Sequence, residues 1–259
     1  MDFGIAGRTA LVCGASQGLG RACAEALAAE GVRVTINARR REALDDVAAA
    51  IVKAGGPTPT VAPGDVSTED GRASVLKACP DPDILVTNAG GPPTGDFRNF
   101  GRDDWIKALD QNMLAPIALI KATVDAMIRR KFGRIINVTS GAVKAPIPLL
   151  ALSNGARSGL TGFVSGLARE VAVHNVTINN LMPGNFDTER LQSNFVAMAK
   201  KADKPIDDYR AMREGQIPAK RFGRPGEFGA VCAFLCSEQA GYFTAQNVLL
   251  DGGAYPGMF

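Results

Sequence analysis

The sequence predicts a single α/β domain, a doubly wound parallel sheet with helices on both faces. Three observations predict it. Short β-branched runs alternate with longer Ala-rich stretches of helical spacing along the chain. A glycine cluster joins the first apolar run directly to the first helical stretch. The 259 residues, 46% hydrophobic and 21% charged, suffice to bury one sizeable core.

The expected strands are residues 9–13, 32–37, 84–88, 134–139, 176–182 and 247–250, each bounded by Gly, Asn or Asp. The expected helices are residues 20–30, 41–54, 105–131, 160–174 and 227–237. Apolar strands alternating with helices imply a parallel sheet covered on both faces. Residues 1–259 read as one domain, with no repeat, low-complexity tract or dividing linker. One polar excursion, residues 185–223, breaks the rhythm and reads as a lid or substrate loop, or else as a solvated helical insertion.

Composition excludes several functions. The net charge is +3, and the densest basic run is Arg39, Arg40 and Arg41. Three arginines at a strand end suit a phosphate better than a nucleic acid. No apolar stretch is long enough to span a bilayer. The first eight residues lack the charged start and apolar run of a signal peptide. The five cysteines, Cys13, Cys23, Cys79, Cys232 and Cys236, lie mostly in apolar segments. They read as reduced core thiols of a cytoplasmic protein, and no metal site is expected.

The first strand runs into Gly14-Ala15-Ser16-Gln17-Gly18-Leu19-Gly20 and then a helix. Glycine lets the backbone approach a pyrophosphate, and the helix presents free N–H groups to it. This is the Rossmann-type arrangement for a dinucleotide. The second strand ends at Ala38, Arg39 and Arg40. A carboxylate there would hold the ribose hydroxyls of NAD. A guanidinium instead matches a 2′-phosphate, which favours NADP(H) over NAD(H). Otherwise the arginines simply begin a solvated helix.

Together with the motifs downstream, these residues resemble the short-chain dehydrogenase/reductase family, including its 3-oxoacyl-[acyl-carrier-protein] reductase-like members. The resemblance covers roughly residues 5–253. It implies an adenine contact at Asp65 and Val66. Asn88, Ala89 and Gly90 resemble the segment closing the fourth strand. Asn112 sits like the asparagine that holds a catalytic water, and Ser140 like the catalytic serine. Pro183 and Gly184 resemble the Pro-Gly beside the nicotinamide, with Thr188 a contact to its carboxamide, and Asp251-Gly252-Gly253 matches the C-terminal signature.

The sequence departs from the family at its central Tyr-x-x-x-Lys. Thirteen residues after Ser140 stands Ser153, and four further on Arg157. The expected proton donor is therefore absent: a serine hydroxyl is a weaker acid than a phenol of pKa about 10. Arg157 can still bind ribose hydroxyls, but does not readily release a proton. Lys144 and Tyr209 are substitute donors to be weighed against ordinary surface or lid roles. His174, the only histidine, reads as structural or exposed, which excludes a Ser-His-Asp hydrolase.

Two functions stay open. One is an NADP(H)-dependent oxidoreductase acting on a small carbonyl or alcohol, with Asn112, Ser140, Ser153 and Arg157 as its catalytic group. The other is a cofactor-binding protein without redox turnover, a sensor or stabilising subunit. The substrate pocket is expected among residues 91–95, 143–152 and 185–223, with an apolar wall from Ile147, Leu149, Leu150 and Leu152. The resemblance implies a homo-oligomer, tetramer or dimer, pairing helices 105–131 and 153–174. Gly155, Ala156, Gly159, Gly162 and Gly166 would either permit that contact or pack on the sheet.

Overall fold

The computed structural model describes residues 2–258, the side chains of residues 197 and 201 excepted. The strands are β1 (Thr9–Cys13), β2 (Arg33–Ala38), β3 (Thr60–Pro63), β4 (Ile84–Thr87), β5 (Gly133–Val138), β6 (Val176–Pro183) and β7 (Asn247–Leu250). The helices are α1 (Gly18–Ala29), α2 (Arg41–Lys53), α3 (Glu69–Ala78), α4 (Arg102–Leu109), α5 (Ala115–Arg130), α6 (Ala151–Val171), α7 (Glu189–Lys201), α8 (Ile206–Gly215) and α9 (Pro225–Cys236). All strand pairs are parallel, in the order β3-β2-β1-β4-β5-β6-β7. The order reverses between β1 and β4, where such sheets open a crevice beyond the carboxyl ends of their strands.

Alternation along β1 sorts the core into two layers. Ala10 and Val12 join one apolar cluster with Leu27 of α1, Leu44 of α2 and Phe228 of α9. Leu11 and Cys13 point the other way, toward Leu119 of α5 and Leu160 of α6. Helix α9 packs closely on α1, because a Cβ at Gly229 would stand 2.3 Å from Ala22 O. Cys23 of α1 meets Cys232 and Cys236 of α9 inside this layer. All five cysteines are free and buried, and no metal-ligand cluster occurs among the described residues. No helix among them is long and apolar enough to cross a membrane.

Some boundaries differ from the sequence reading. Helix α3 was outside the expected elements, and β3 entered them only through the resemblance, which counts the run ending at Asn88 as the fourth strand. Helix α3 is weakly apolar, and its start is fixed by a cap: Gly71 N–H donates to Thr68 Oγ1 at 3.1 Å. The single helix expected at 105–131 is two, α4 and α5, joined by a π-turn at Asp110–Leu114. Within that turn Asn112 Nδ2 donates to Ala108 O at 3.3 Å, taking the carbonyl that the residue's own N–H would use in an unbroken α-helix. Helix α6 starts at Ala151, nine residues before the helical pattern suggested. Ser, Asn and Gly are weak helix formers, and packing overrides them: Gly155 faces Trp105 and Gly159 faces Met113.

A row of polar side chains crosses the sheet at one level. Thr87 Oγ1 donates to Asn137 Oδ1 (2.7 Å), Asn137 Nδ2 to Asn180 Oδ1 (3.3 Å), and Asn180 Nδ2 to Asn247 Oδ1 (2.8 Å). These residues are register partners on β4, β5, β6 and β7. At the other end of β5, the buried Arg134 donates to Ser237 O and Asn175 O at 3.1 and 2.9 Å.

The excursion at 185–223 is helical, carrying α7 and α8 around its own apolar cluster of Phe195, Ala199, Tyr209, Ile217 and Phe222. Tyr209 is buried there, and its hydroxyl lies 3.4 Å from Met198 Sδ. This corrects the idea that Tyr209 folds over the cleft as a proton donor, since its ring belongs to the excursion's core.

Candidate active site

The loop between β1 and α1 is shaped by backbone crowding. Gly14 and Gly18 have φ of +61° and +58°. A Cβ on Gly20 would stand 2.2 Å from Gly14 O. Asn88 Nδ2 donates to Gly14 O at 3.3 Å, and Ala15 N–H donates to Asn37 O at 2.9 Å. These bonds pin the loop to the ends of β4 and β2. Gln17 caps α1 with no side-chain hydrogen bond, so the first N–H groups of the helix keep their capacity for an anion. Ser16 is half-buried, and Leu19 packs on the core beneath. The Thr188 methyl lies within ordinary contact of the Gly18 position, which sets the start of α7 over the loop.

Beyond the ends of β2 and β3 lies a cavity of about 420 Å³, lined by the cations Arg39, Arg102 and Lys107, the carboxylates Asp65, Asp103 and Asp110, and Ser67. Arg40 lies outside it, at the start of α2. Asp65 accepts from Ser67 N–H (3.0 Å) and Ser67 Oγ–H (2.7 Å), which hold its carboxyl below the usual range. Val66 packs on the core. Sequence reasoning missed Arg102 and Lys107. They sit on α4, far from Arg39 in the chain, and read only as charges on a helix surface.

The candidate catalytic residues come from three contacting elements. Asn112 is buried in the π-turn, Ser140 stands two residues beyond β5 and caps a 3-10 turn, and Ser153 and Arg157 lie in the first turns of α6. Helix α6 packs against both turns. Arg157 Nη1 donates to Ser153 Oγ at 3.2 Å, and Ser140 Oγ accepts from Ala142 N–H at 3.1 Å. Ser153 is buried. Burial, and then the charge of Arg190, push the Arg157 guanidinium down to about 10, so it stays a cation at neutral pH. Lys144 Nζ lies 5.7 Å from the centre of the Tyr255 ring. His174 falls on the short turn after α6, the far end of that helix from Ser153.

At the end of β6, Pro183 pairs with Leu250 and Gly184 N–H donates to Leu250 O at 2.8 Å. A Cβ on Gly184 would crowd Asp251 at 2.7 Å. Asp251 in turn accepts from the N–H groups of Gly253 (2.9 Å) and Tyr255 (2.7 Å). Ala89 is half-buried and Gly90 exposed beyond β4. A second cavity, about 320 Å³, lies between residues 95–98 and 147–154. Of the expected apolar wall Ile147 and Leu149 line it, whereas Leu150, the fully buried Leu152 and residues 185–223 do not.

Residues 8–198 match the short chain dehydrogenase family model. The chain belongs to the short-chain dehydrogenase family. Among its relatives, nodulation protein G of Rhizobium sp. (strain N33) is 34% identical over 97% of this chain and 98% of its own. The NADPH-dependent reductase BacG of Bacillus subtilis (strain 168) is 32% identical over 95% and 97%. Among solved structures, L-sorbose reductase from Gluconobacter frateurii, complexed with NADPH and L-sorbose, superposes with a TM-score of 0.94 at 28% identity, covering all of both chains. The short-chain dehydrogenase fold of these relatives matches the sheet described above.

Proposed function

We propose that this protein is an NADP(H)-dependent oxidoreductase that interconverts a carbonyl and a hydroxyl group, with Ser153 and Arg157 in the place of the family's tyrosine and lysine. The observation that carries the reading is the Arg157–Ser153 hydrogen bond, set where α6 meets the turns of Ser140 and Asn112. The crowded Gly14–Gly20 contact and the uncapped start of α1 support a pyrophosphate at the glycine loop. Arg39, directly after β2, supports a 2′-phosphate, as do relatives described as NADPH-dependent or complexed with NADPH. NAD(H) is the less favoured form, because no carboxylate follows β2 at Ala38.

Such a dinucleotide, when bound, supplies or accepts the hydride. The chain's residues do the rest. Asn88, Ala89, Gly90, Pro183, Gly184 and Thr188 border the nicotinamide end, and Arg157 also reaches ribose hydroxyls. Ser140 and Ser153 hydrogen-bond the substrate oxygen. Because Arg157 donates to Ser153 Oγ, the serine's own proton is free to point at that oxygen. Asn112 holds a water that reprotonates the site. Gly162 and Gly166 face open space on α6 and Phe163 is exposed, which supports pairing of this helix in a homodimer or tetramer. The buried free thiols support a cytoplasmic setting.

A second reading, cofactor binding without turnover, is favoured by the weak acidity of Ser153 beside a guanidinium that keeps its proton. The test is NADPH oxidation over a panel of ketones and aldehydes, run beside the double variant Ser153→Tyr/Arg157→Lys. Turnover by the parent supports the oxidoreductase. Cofactor binding without turnover, with activity only in the double variant, establishes the second reading.

A further inference from the structure

Apolar side chains gather around the cavity beside α6 although solvent reaches them. Phe97, Ile147 and Leu149 line it and are 57%, 48% and 56% exposed. Single exposed apolar residues are ordinary, whereas three around one cavity mark a binding surface. The backbone is strained at the same place. Leu149 has a φ of +67°, in the left-handed region that bulky side chains avoid. Gly95 N–H donates to Leu149 O at 2.9 Å, which joins the loop after β4 to the loop before α6 and closes one wall.

The polar groups of the lining are already paired. Arg98 donates to both carboxylate oxygens of Asp96, at 3.1 and 3.2 Å, and its guanidinium lies 4.7 Å from the centre of the Phe97 ring. The carbonyls of Asp96, Phe97, Ile147 and Leu149 each accept a backbone N–H. Asn154 Nδ2 donates to Ile147 O at 3.1 Å, and its Oδ1 is shut off from solvent. A hydroxyl or carboxylate entering here would lose its water and meet groups that are committed to one another.

The cavity lies beside the candidate chemistry. Ala151 and Asn154 line it from α6, and Ser153 precedes Asn154 in the same turn, with their Cα atoms about 3.8 Å apart. Its volume of about 320 Å³ suits a small molecule. We propose that this cavity takes the hydrocarbon part of the substrate, so that the substrate class is uncharged carbonyl compounds with an alkyl chain, or the corresponding alcohols, and not sugars or organic acids. The proposal rests on the oxidoreductase reading above. It makes Leu149 a specificity residue, whose strained backbone holds a bulky side chain against the ligand where asparagine or glycine would sit with less strain.

The test follows NADPH oxidation by the full chain over a series of 2-alkanones of increasing length, beside polyhydroxy ketones and 2-oxo acids of matched carbon number. Each added methylene should raise kcat/KM by about fourfold until the cavity is full, chiefly through KM. The polyhydroxy ketones and oxo acids should react at least about tenfold less efficiently than the alkanone of the same length. Leu149→Asn suits the left-handed backbone, so it should keep the parent's circular dichroism and an NADPH affinity within about threefold, while the gain per methylene falls below about twofold.

An efficiency that ignores chain length, or that favours the hydroxylated or acidic ketones, would overturn the apolar pocket and leave the oxidoreductase reading standing. A gain per methylene unchanged in Leu149→Asn would place the chain elsewhere and overturn the assignment of this cavity. Absence of turnover with every class would remove the oxidoreductase reading. Calorimetry of the same alkanones with the NADP⁺ complex would then decide the cavity alone: affinity rising with length upholds it, and no binding overturns it.

Discussion

Arg157 donates to Ser153 from one turn further along α6, so the serine oxygen is an acceptor and its proton is uncommitted. In the proposed reaction Ser153→Ala should lower kcat by about 10²-fold, the low end for a proton donor that water replaces. NADPH affinity should hold. Steady-state kinetics beside a fluorescence titration measure both, and an unchanged kcat would remove Ser153 from the chemistry.

Cofactor choice should follow Arg39. Arg39→Glu replaces a charge-assisted hydrogen bond of about 1.5–3 kcal/mol by repulsion, so NADPH should bind roughly 10- to 100-fold more weakly. NADH should change little. If both cofactors keep their affinities, Arg102 and Lys107 read the phosphate instead.

Two glycine-to-alanine changes should part ways. Gly20→Ala forces a Cβ to within 2.2 Å of Gly14 O, so the loop must shift. Dinucleotide binding should be lost and stability reduced by about 1–3 kcal/mol. Gly226→Ala meets open space in the first turn of α9 and should stabilise by about 0.5–1 kcal/mol. Urea denaturation and cofactor titration of the pair check both.

Asn180→Leu should break the polar row across the sheet at its middle. The buried Asn137 amide then loses its acceptor, at a cost of about 2–4 kcal/mol with the strain of a branched side chain. The melting temperature should fall by roughly 5–15 °C. A variant melting with the parent would show that a water takes the vacated position.

The start of α9 should resist acid. Glu227 accepts from Arg221, Arg224 N–H and the Arg224 side chain, and its carboxyl is held down to about 2 from an ordinary 4.5. A carboxylate lowered on folding contributes stability that is fully present above its unfolded pKa and is lost as pH falls through the folded one. The window therefore runs from about pH 4.5 down to about pH 2. Carbon-detected NMR titration should place the Glu227 midpoint near its lower edge, and Arg221→Gln should move it up.

The sheet was legible because buried parallel strands are apolar on both faces, so β1 and β4 stand out from any helical period. The glycine loop was legible for a related reason: only glycine tolerates the approach of Gly20 to Gly14. The π-turn was hidden, because Gln111, Met113 and Leu114 are ordinary helix residues and only the bond from Asn112 to Ala108 marks the change. Arg102 and Lys107 joined Arg39 through tertiary placement alone.

The row from Thr87 to Asn247 has a consequence for how strands choose their partners. Each amide gives its N–H in the same direction across the sheet, so the row has a single sense. A strand slipped by one residue would swing its asparagine to the opposite face, where Val138 and Leu181 pack in an apolar layer. Apolar side chains tolerate such a shift by trading one neighbour for another, whereas an amide facing hydrocarbon has no substitute. The row thus acts as an alignment key for β4 to β7, and holds the end of β5 at the height that sets Ser140 against α6.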